Sequence, residues 1–132
     1  MLVGAALLLC LSIFGERHGS LVQQAPPNFV KLLNPYEGDP SAIEAGSKLF
    51  HRECAACHGK DARGAGKAPP LAVPDVYRAA PGALFWVLRN GSLKRGMPSY
   101  AHLPAQQRWQ IVSYLKSLRG LTGNSSCPKN FR

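Results

Sequence analysis

An all-α domain of three to four short helices is the fold this sequence predicts, and three observations carry it. No stretch alternates apolar and polar residues for long, and no Asn-Gly or Asp-Gly pair sits between β-rich runs, so strand and hairpin signals are missing. The 132 residues include 13 glycines and 11 prolines, which cut the chain into short segments. Between those cuts, apolar residues recur at helical spacing, with starting and stopping residues at the segment ends.

Met1 to Phe14 is almost wholly apolar, and Gly15 to Ser20 is polar. Fourteen residues are short for a bilayer span and suit the core of a signal peptide, although no basic residues precede them and no small-x-small cleavage site follows. Residues 1–20 therefore read as a signal peptide or an N-terminal anchor. Cys10 adds lipid attachment as a further route to a membrane tether, with Leu9 a poor match to the small residue expected before a lipidated cysteine. Residues 21–35 hold Pro26, Pro27 and Pro35 without a clear period and read as a linker, so the packed domain is expected over 36–120.

Within that domain, Asp39 is placed to cap a helix whose first position is Pro40. The helix from Ser41 to about Arg52 sets Ile43, Gly46, Leu49 and Phe50 on one face. Lys60 to Pro74 is rich in glycine and proline and reads as a loop. A second helix is expected from Pro81 to Asn90, with Leu84, Phe85 and Leu88 inward and Gly91 closing it. Lys94 to Leu103 is a further loop. The last helix starts at Pro104 and ends before Gly120, presenting Trp109, Ile111, Val112, Leu115 and Leu118, with Tyr114 at its edge. Residues 121–132 read as a disordered tail.

The first helix runs into Cys54-Ala55-Ala56-Cys57-His58, the spacing by which a c-type haem is attached. Two cysteines three apart share one side of a helical turn, so both can form thioethers to one haem, and the next residue, histidine, reaches the iron. A zinc site needs a second ligand pair at fitting spacing, which is missing, and a thioredoxin-type motif needs a βαβ context. The cofactor implied is one haem c, held by two thioethers and wrapped by the helices. Such attachment takes place outside the bacterial cytoplasm, which agrees with an exported chain on the periplasmic side or on the outer face of the cytoplasmic membrane.

A second axial ligand is then expected. Besides Met1 the chain has one methionine, Met97, in the polar loop Arg95-Gly96-Met97-Pro98-Ser99-Tyr100, where Gly96 lets the backbone turn and Pro98 stiffens it. A thioether favours the reduced iron. The rival is His102, five residues on, which would make a bis-histidine haem; His51 reads as an exposed helical residue and His18 belongs to the leader. The other ring nitrogen of His58 needs a partner, and a backbone carbonyl of Pro69 or Pro70 is placed to supply it. With Cys54 and Cys57 used, Cys127 is left as a free thiol or for an intermolecular disulfide.

From about Ile43 to Leu118 the chain resembles a small bacterial class I cytochrome c. The resemblance rests on Gly46 and Phe50 before Cys54-Cys57-His58, on Pro69-Pro70-Leu71, on Asn90-Gly91 with Gly96-Met97-Pro98, and on Trp109 to Leu115. It implies the cytochrome c fold, with the first helix crossing the last closely at Gly46 and Tyr114, and Phe50 and Ile111 beside them. It also implies that Pro69 supplies the carbonyl to His58, and that Leu71, Trp86 and Trp109 pack on the haem.

A domain whose iron carries both His58 and Met97 has no open position for substrate, which points to an electron-transfer protein rather than an enzyme. A haem peroxidase or gas sensor would need Met97 labile; a tethered subunit of a respiratory complex or quinoprotein dehydrogenase is the alternative within electron transfer. The net charge is +9, and a leader removed at residue 20 would take one cation, Arg17, and one anion, Glu16. Aromatics do not interleave with the basic residues and no nucleic-acid motif is present, so nucleic acid is excluded as partner. Acidic redox proteins fit instead, met by Lys60, Arg63, Lys67, Lys94 and Arg95 around an exposed haem edge.

Overall fold

The computed structural model describes residues 20–121. The signal or anchor segment, Cys10, His18, Cys127 and the C-terminal tail lie outside the described residues. Among the described residues six α-helices are present: α1 (Pro27–Val30), α2 (Pro40–Glu53), α3 (Ala55–His58), α4 (Pro74–Tyr77), α5 (Pro81–Asn90) and α6 (Ala105–Ser117). Three 3₁₀ turns accompany them, at Leu21–Gln24, Leu93–Arg95 and Leu118–Leu121. No strand occurs among the described residues; the one β-contact is an isolated antiparallel bridge between Ser92 and Met97.

Helix α2 begins as its sequence requires. The Asp39 carboxylate accepts from the Ser41 and Ala42 amides at 2.8 and 3.4 Å, with Pro40 at the first helical position, so two of the otherwise unpaired first-turn donors are satisfied. Its buried face is Ala42, Gly46, Leu49 and Phe50, which corrects the expected stripe at one position. Ile43 is half-buried and lines a small surface hollow with Tyr77 and Lys116. The i, i+4, i+7, i+8 row faces α6, and Ile43 stands just off it.

The α2–α6 crossing is the frame of the molecule. A Cβ on Gly46 would lie 1.9 Å from the Gln110 carbonyl oxygen and 3.0 Å from the Tyr114 Cβ. Only glycine allows this approach, and it draws Phe50, Ile111 and Val112 fully into the core. The rings of Phe50 and Tyr114 meet with centroids 5.2 Å apart. Gly46 and Tyr114 thus meet as the family resemblance implied. Helix α5 has the bounds its spacing predicts, buries Leu84, Phe85 and Leu88, and ends at Gly91 with φ +62°.

Residues 21–35 are not a linker. The first 3₁₀ turn and α1 pack on α5, where a Cβ on Gly82 would lie 1.8 Å from the Phe29 carbonyl oxygen. Val22 and Phe29 lean on the core. Asn34 is buried, and its Nδ2 donates to Ser113 Oγ at 2.8 Å and to the Trp109 carbonyl at 3.3 Å. Its Oδ1 accepts from the Tyr36 amide at 3.0 Å, and Ser113 Oγ donates to the Tyr36 carbonyl at 3.0 Å. The prolines that suggested an open connection instead shape a strap, with Pro27 opening α1. Folded structure therefore precedes residue 36.

Between the loop read over Lys60 to Pro74 and α5 stands α4, whose Val76 and Tyr77 are buried. Four residues are too few to show a helical period. Lys116 on α6 holds this turn in place, its Nζ donating to the Tyr77 and Ala79 carbonyls at 3.1 and 2.7 Å. Burial pushes the Lys116 amine below its ordinary range.

Candidate cofactor site

Cys54 is the hinge between α2 and α3. Its amide bonds the Phe50 carbonyl at 2.8 Å, and its own carbonyl accepts from the Cys57 and His58 amides at 3.2 and 3.0 Å. The resulting turn presents Cys54, Cys57 and His58 to one cavity of about 590 Å³, within the range of small-molecule and cofactor sites. Cys54 is buried and Cys57 exposed. Desolvation pushes the Cys54 thiol up to about 12, so the buried sulfur stays protonated at neutral pH and is a poor nucleophile on its own.

The loop after the motif folds back to orient His58. Its backbone is organised on Ala62, fully buried at φ +59°, whose carbonyl accepts from the Leu71 and Ala72 amides at 2.7 and 2.9 Å. That arrangement places the Pro69 carbonyl 2.8 Å from His58 Nδ1. A carbonyl only accepts, so Nδ1 carries the proton and Nε2 keeps its lone pair. This is the tautomer and orientation a metal-binding histidine requires. Pro69, Pro70 and Leu71 all line the cavity.

Met97 lines the same cavity from the other loop. Its amide donates to the Ser92 carbonyl at 3.0 Å and its carbonyl accepts from the Ser92 amide at 2.8 Å, which pins the methionine at both backbone atoms. Gly96 takes the left-handed conformation that closes this loop, at φ +76° and ψ 9°. A Cβ on Gly91 would lie 2.5 Å from the Pro98 carbonyl group, so the loop lies flat on the end of α5. His102 is exposed and lies beside the Tyr100 ring, outside the cavity lining. His51 is exposed and donates from Nδ1 to the Ser47 carbonyl at 2.7 Å.

Two expected haem contacts are corrected. Helix α5 faces the cavity with Leu84, Val87 and Leu88, and Trp86 is not among the lining residues. Positions 84, 87 and 88 share one helical face, from which 86 points away. Trp109 stacks on Phe85 with centroids 4.0 Å apart and also stays outside the lining. The reading missed Val87, Tyr100 and Leu21–Val22 of the strap, which do line it. Val87 was legible as Leu84 plus three; the strap residues carried no local signal. Of the five loop cations, Lys67 and Arg95 line the cavity, while Lys60, Arg63 and Lys94 are exposed.

The arrangement fits haem c. The wall is largely apolar, two cysteines line it, one imidazole is held with a free Nε2, and one thioether stands on a pinned loop. Among the described residues no three His, Cys, Asp or Glu side chains cluster to hold a bare metal ion. Among them, too, no helix is long and apolar enough to cross a membrane.

Comparison with known proteins agrees. A family model described as cytochrome c oxidase, cbb3-type, subunit III matches residues 41–115. Cytochrome c550 of Pseudomonas aeruginosa is 34% identical over 90 residues, covering 64% of this chain and 61% of that protein. The quinohemoprotein alcohol dehydrogenase ADH-IIG of Pseudomonas putida is 38% identical over 80 residues, covering 58% of this chain and 11% of the enzyme. The chain thus spans less than two thirds of these relatives. The crystal structure of cytochrome CL from the marine methylotroph Methylophaga aminisulfidivorans superposes with a TM-score of 0.56 at 27% identity, covering 78% of this chain and 70% of that one. With the all-α fold, the motif-bearing cavity and a family match over more than half its length, the chain belongs to the cytochrome c family, as a small monohaem member carrying covalently attached haem c.

Proposed function

We propose that this chain is a one-electron carrier, with Cys54 and Cys57 as the thioether sites and His58 and Met97 as the axial ligands. Haem c supplies an iron that alternates between Fe(III) and Fe(II). The chain's own residues hold that iron's surroundings constant: Pro69 fixes the His58 tautomer, and the Ser92–Met97 bridge fixes the thioether. Leu71, Val87 and Leu88 keep water from the macrocycle. The observation that carries the reading is the shared cavity of His58 and Met97, because two protein ligands leave no open position for substrate. An enzymatic role as peroxidase or sensor is therefore set aside.

Met97→Ala is the test. The oxidised protein is expected to show a thioether-to-iron charge-transfer band and the substitution to abolish it; a wild type without the band, or a band that survives the change, removes Met97 from the iron. The exposed loop cations Lys60, Arg63, Lys67, Lys94 and Arg95 support acidic redox proteins as partners, and the haem-attachment motif supports a location in the periplasm or on the outer face of the cytoplasmic membrane.

The similarity to a quinohemoprotein alcohol dehydrogenase favours a second reading, in which the domain is the cytochrome c subunit of a quinoprotein dehydrogenase or respiratory complex. Fractionation of native membranes separates the two, since a free shuttle elutes alone and a subunit elutes with its enzyme.

A further inference from the structure

The Met97 loop is fastened mainly to α5. Ser99 Oγ donates to the Arg89 carbonyl at 2.6 Å, the Tyr100 amide donates to the Leu88 carbonyl at 2.8 Å, and Pro98 lies against Gly91. These bonds tie the loop to α5 and not to the α2–α3 turn. One further bond reaches α2: the Tyr100 hydroxyl donates to the Glu53 carbonyl at 3.0 Å, between residues 47 apart in sequence. Glu53 is the last residue of α2 and directly precedes Cys54. Its carbonyl lies among the last four of the helix, which have no partner within it.

We propose that Tyr100 is a positioning residue whose hydroxyl ties the methionine-bearing loop to the helix end that carries Cys54 and His58, and so sets how readily Met97 yields its place to an outside ligand. This rests on the His58/Met97 reading. The ring of Tyr100 packs on the core and lines the cavity, a task phenylalanine would do equally well. The hydroxyl is the part that packing does not explain. Burial, the largest cause, pushes its pKa up to about 12, so it remains a donor throughout the neutral range. Displacement of Met97 requires the loop and the α2–α3 turn to part, and that opening costs one more hydrogen bond while Tyr100 is intact.

Tyr100→Phe in the full haem-loaded chain is the test, read by the imidazole concentration that half-bleaches the oxidised charge-transfer band. A net hydrogen bond predicts that this concentration falls by about two- to tenfold. Ser113→Ala is the control: it breaks the buried Asn34–Ser113 contact away from the cavity, lowers overall stability and leaves the half-bleaching concentration unchanged. An unchanged value for Tyr100→Phe, or an equal fall for Ser113→Ala, overturns the proposal. Failure of the ligand reading is distinguishable, because it shows as a band absent from the wild type or persisting in Met97→Ala, and then both readings fall.

Discussion

A methyl group at position 46 would stand 1.9 Å from the Gln110 carbonyl oxygen, and two opposing effects decide what Gly46→Ala does. Alanine gains about 1 kcal/mol in helix propensity. Overpacking in a core costs roughly 1–3 kcal/mol when side chains can yield, and here the obstacle is backbone. The clash wins, so Gly46→Ala lowers stability by about 2 kcal/mol or more. Denaturant unfolding of the haem-loaded protein checks this, and equal or higher stability would refute the close crossing. At this scale the sequence was largely legible. The Cys54–His58 motif is local, and Met97 is the one methionine outside residue 1. The Pro69 carbonyl was reachable because loop length and a family pattern agreed. Trp86 was misplaced for a physical reason: a ten-residue helix has several faces rich in apolar residues, and which one meets the cavity depends on how α1 and the strap dock at Gly82.

At the scale of elements, α2, α5 and α6 announced themselves through caps and period, whereas the strap did not. Its hold on the domain comes from Asn34, whose Nδ2 partners lie more than 70 residues away. A buried side-chain amide has no periodic signature, and the prolines around it mimic those of an open connection. Two of the strap's residues, Leu21 and Val22, close one side of the cavity, so the strap links stability to shielding of the macrocycle. Asn34→Ala removes both its donors and its acceptor, leaving the Tyr36 amide without its acceptor and Ser113 Oγ and the Trp109 carbonyl without the bonds from Nδ2. Leaving buried polar groups unpaired costs about 1–3 kcal/mol. Asn28, exposed on α1, is the matched control, and Asn28→Ala is expected to stay within about 0.5 kcal/mol. Chemical unfolding reports both, and equal effects would show that the strap is not held through Asn34.

For the whole molecule the relevant quantity is the field around the cavity mouth. The chain carries +9; Lys67 and Arg95 line the cavity and Lys94 is exposed beside them. The ion pairs nearby are weak: Arg63 Nε and Asp61 Oδ2 stand 3.9 Å apart with both side chains 66% exposed, worth well under about 1 kcal/mol in water. Such charges contribute little to stability and much to encounter, because steering depends on summed potential rather than on any one contact. Lys67→Glu and Lys94→Glu each change the local charge by two units. Both variants are expected to keep the wild-type unfolding midpoint and to slow reduction of the oxidised haem by ferrocyanide, a multiply charged anion. The wild-type rate is expected to fall as salt rises, since at about 0.15 M the screening length shrinks to about 8 Å. Lys48→Glu, on the exposed face of α2 where Lys48 pairs with Glu44, is the comparison. If that reversal slows the reaction as much as Lys67→Glu and Lys94→Glu do, net charge alone steers the reagent; if only those two matter, electrons enter through the face that Lys67 and Arg95 line.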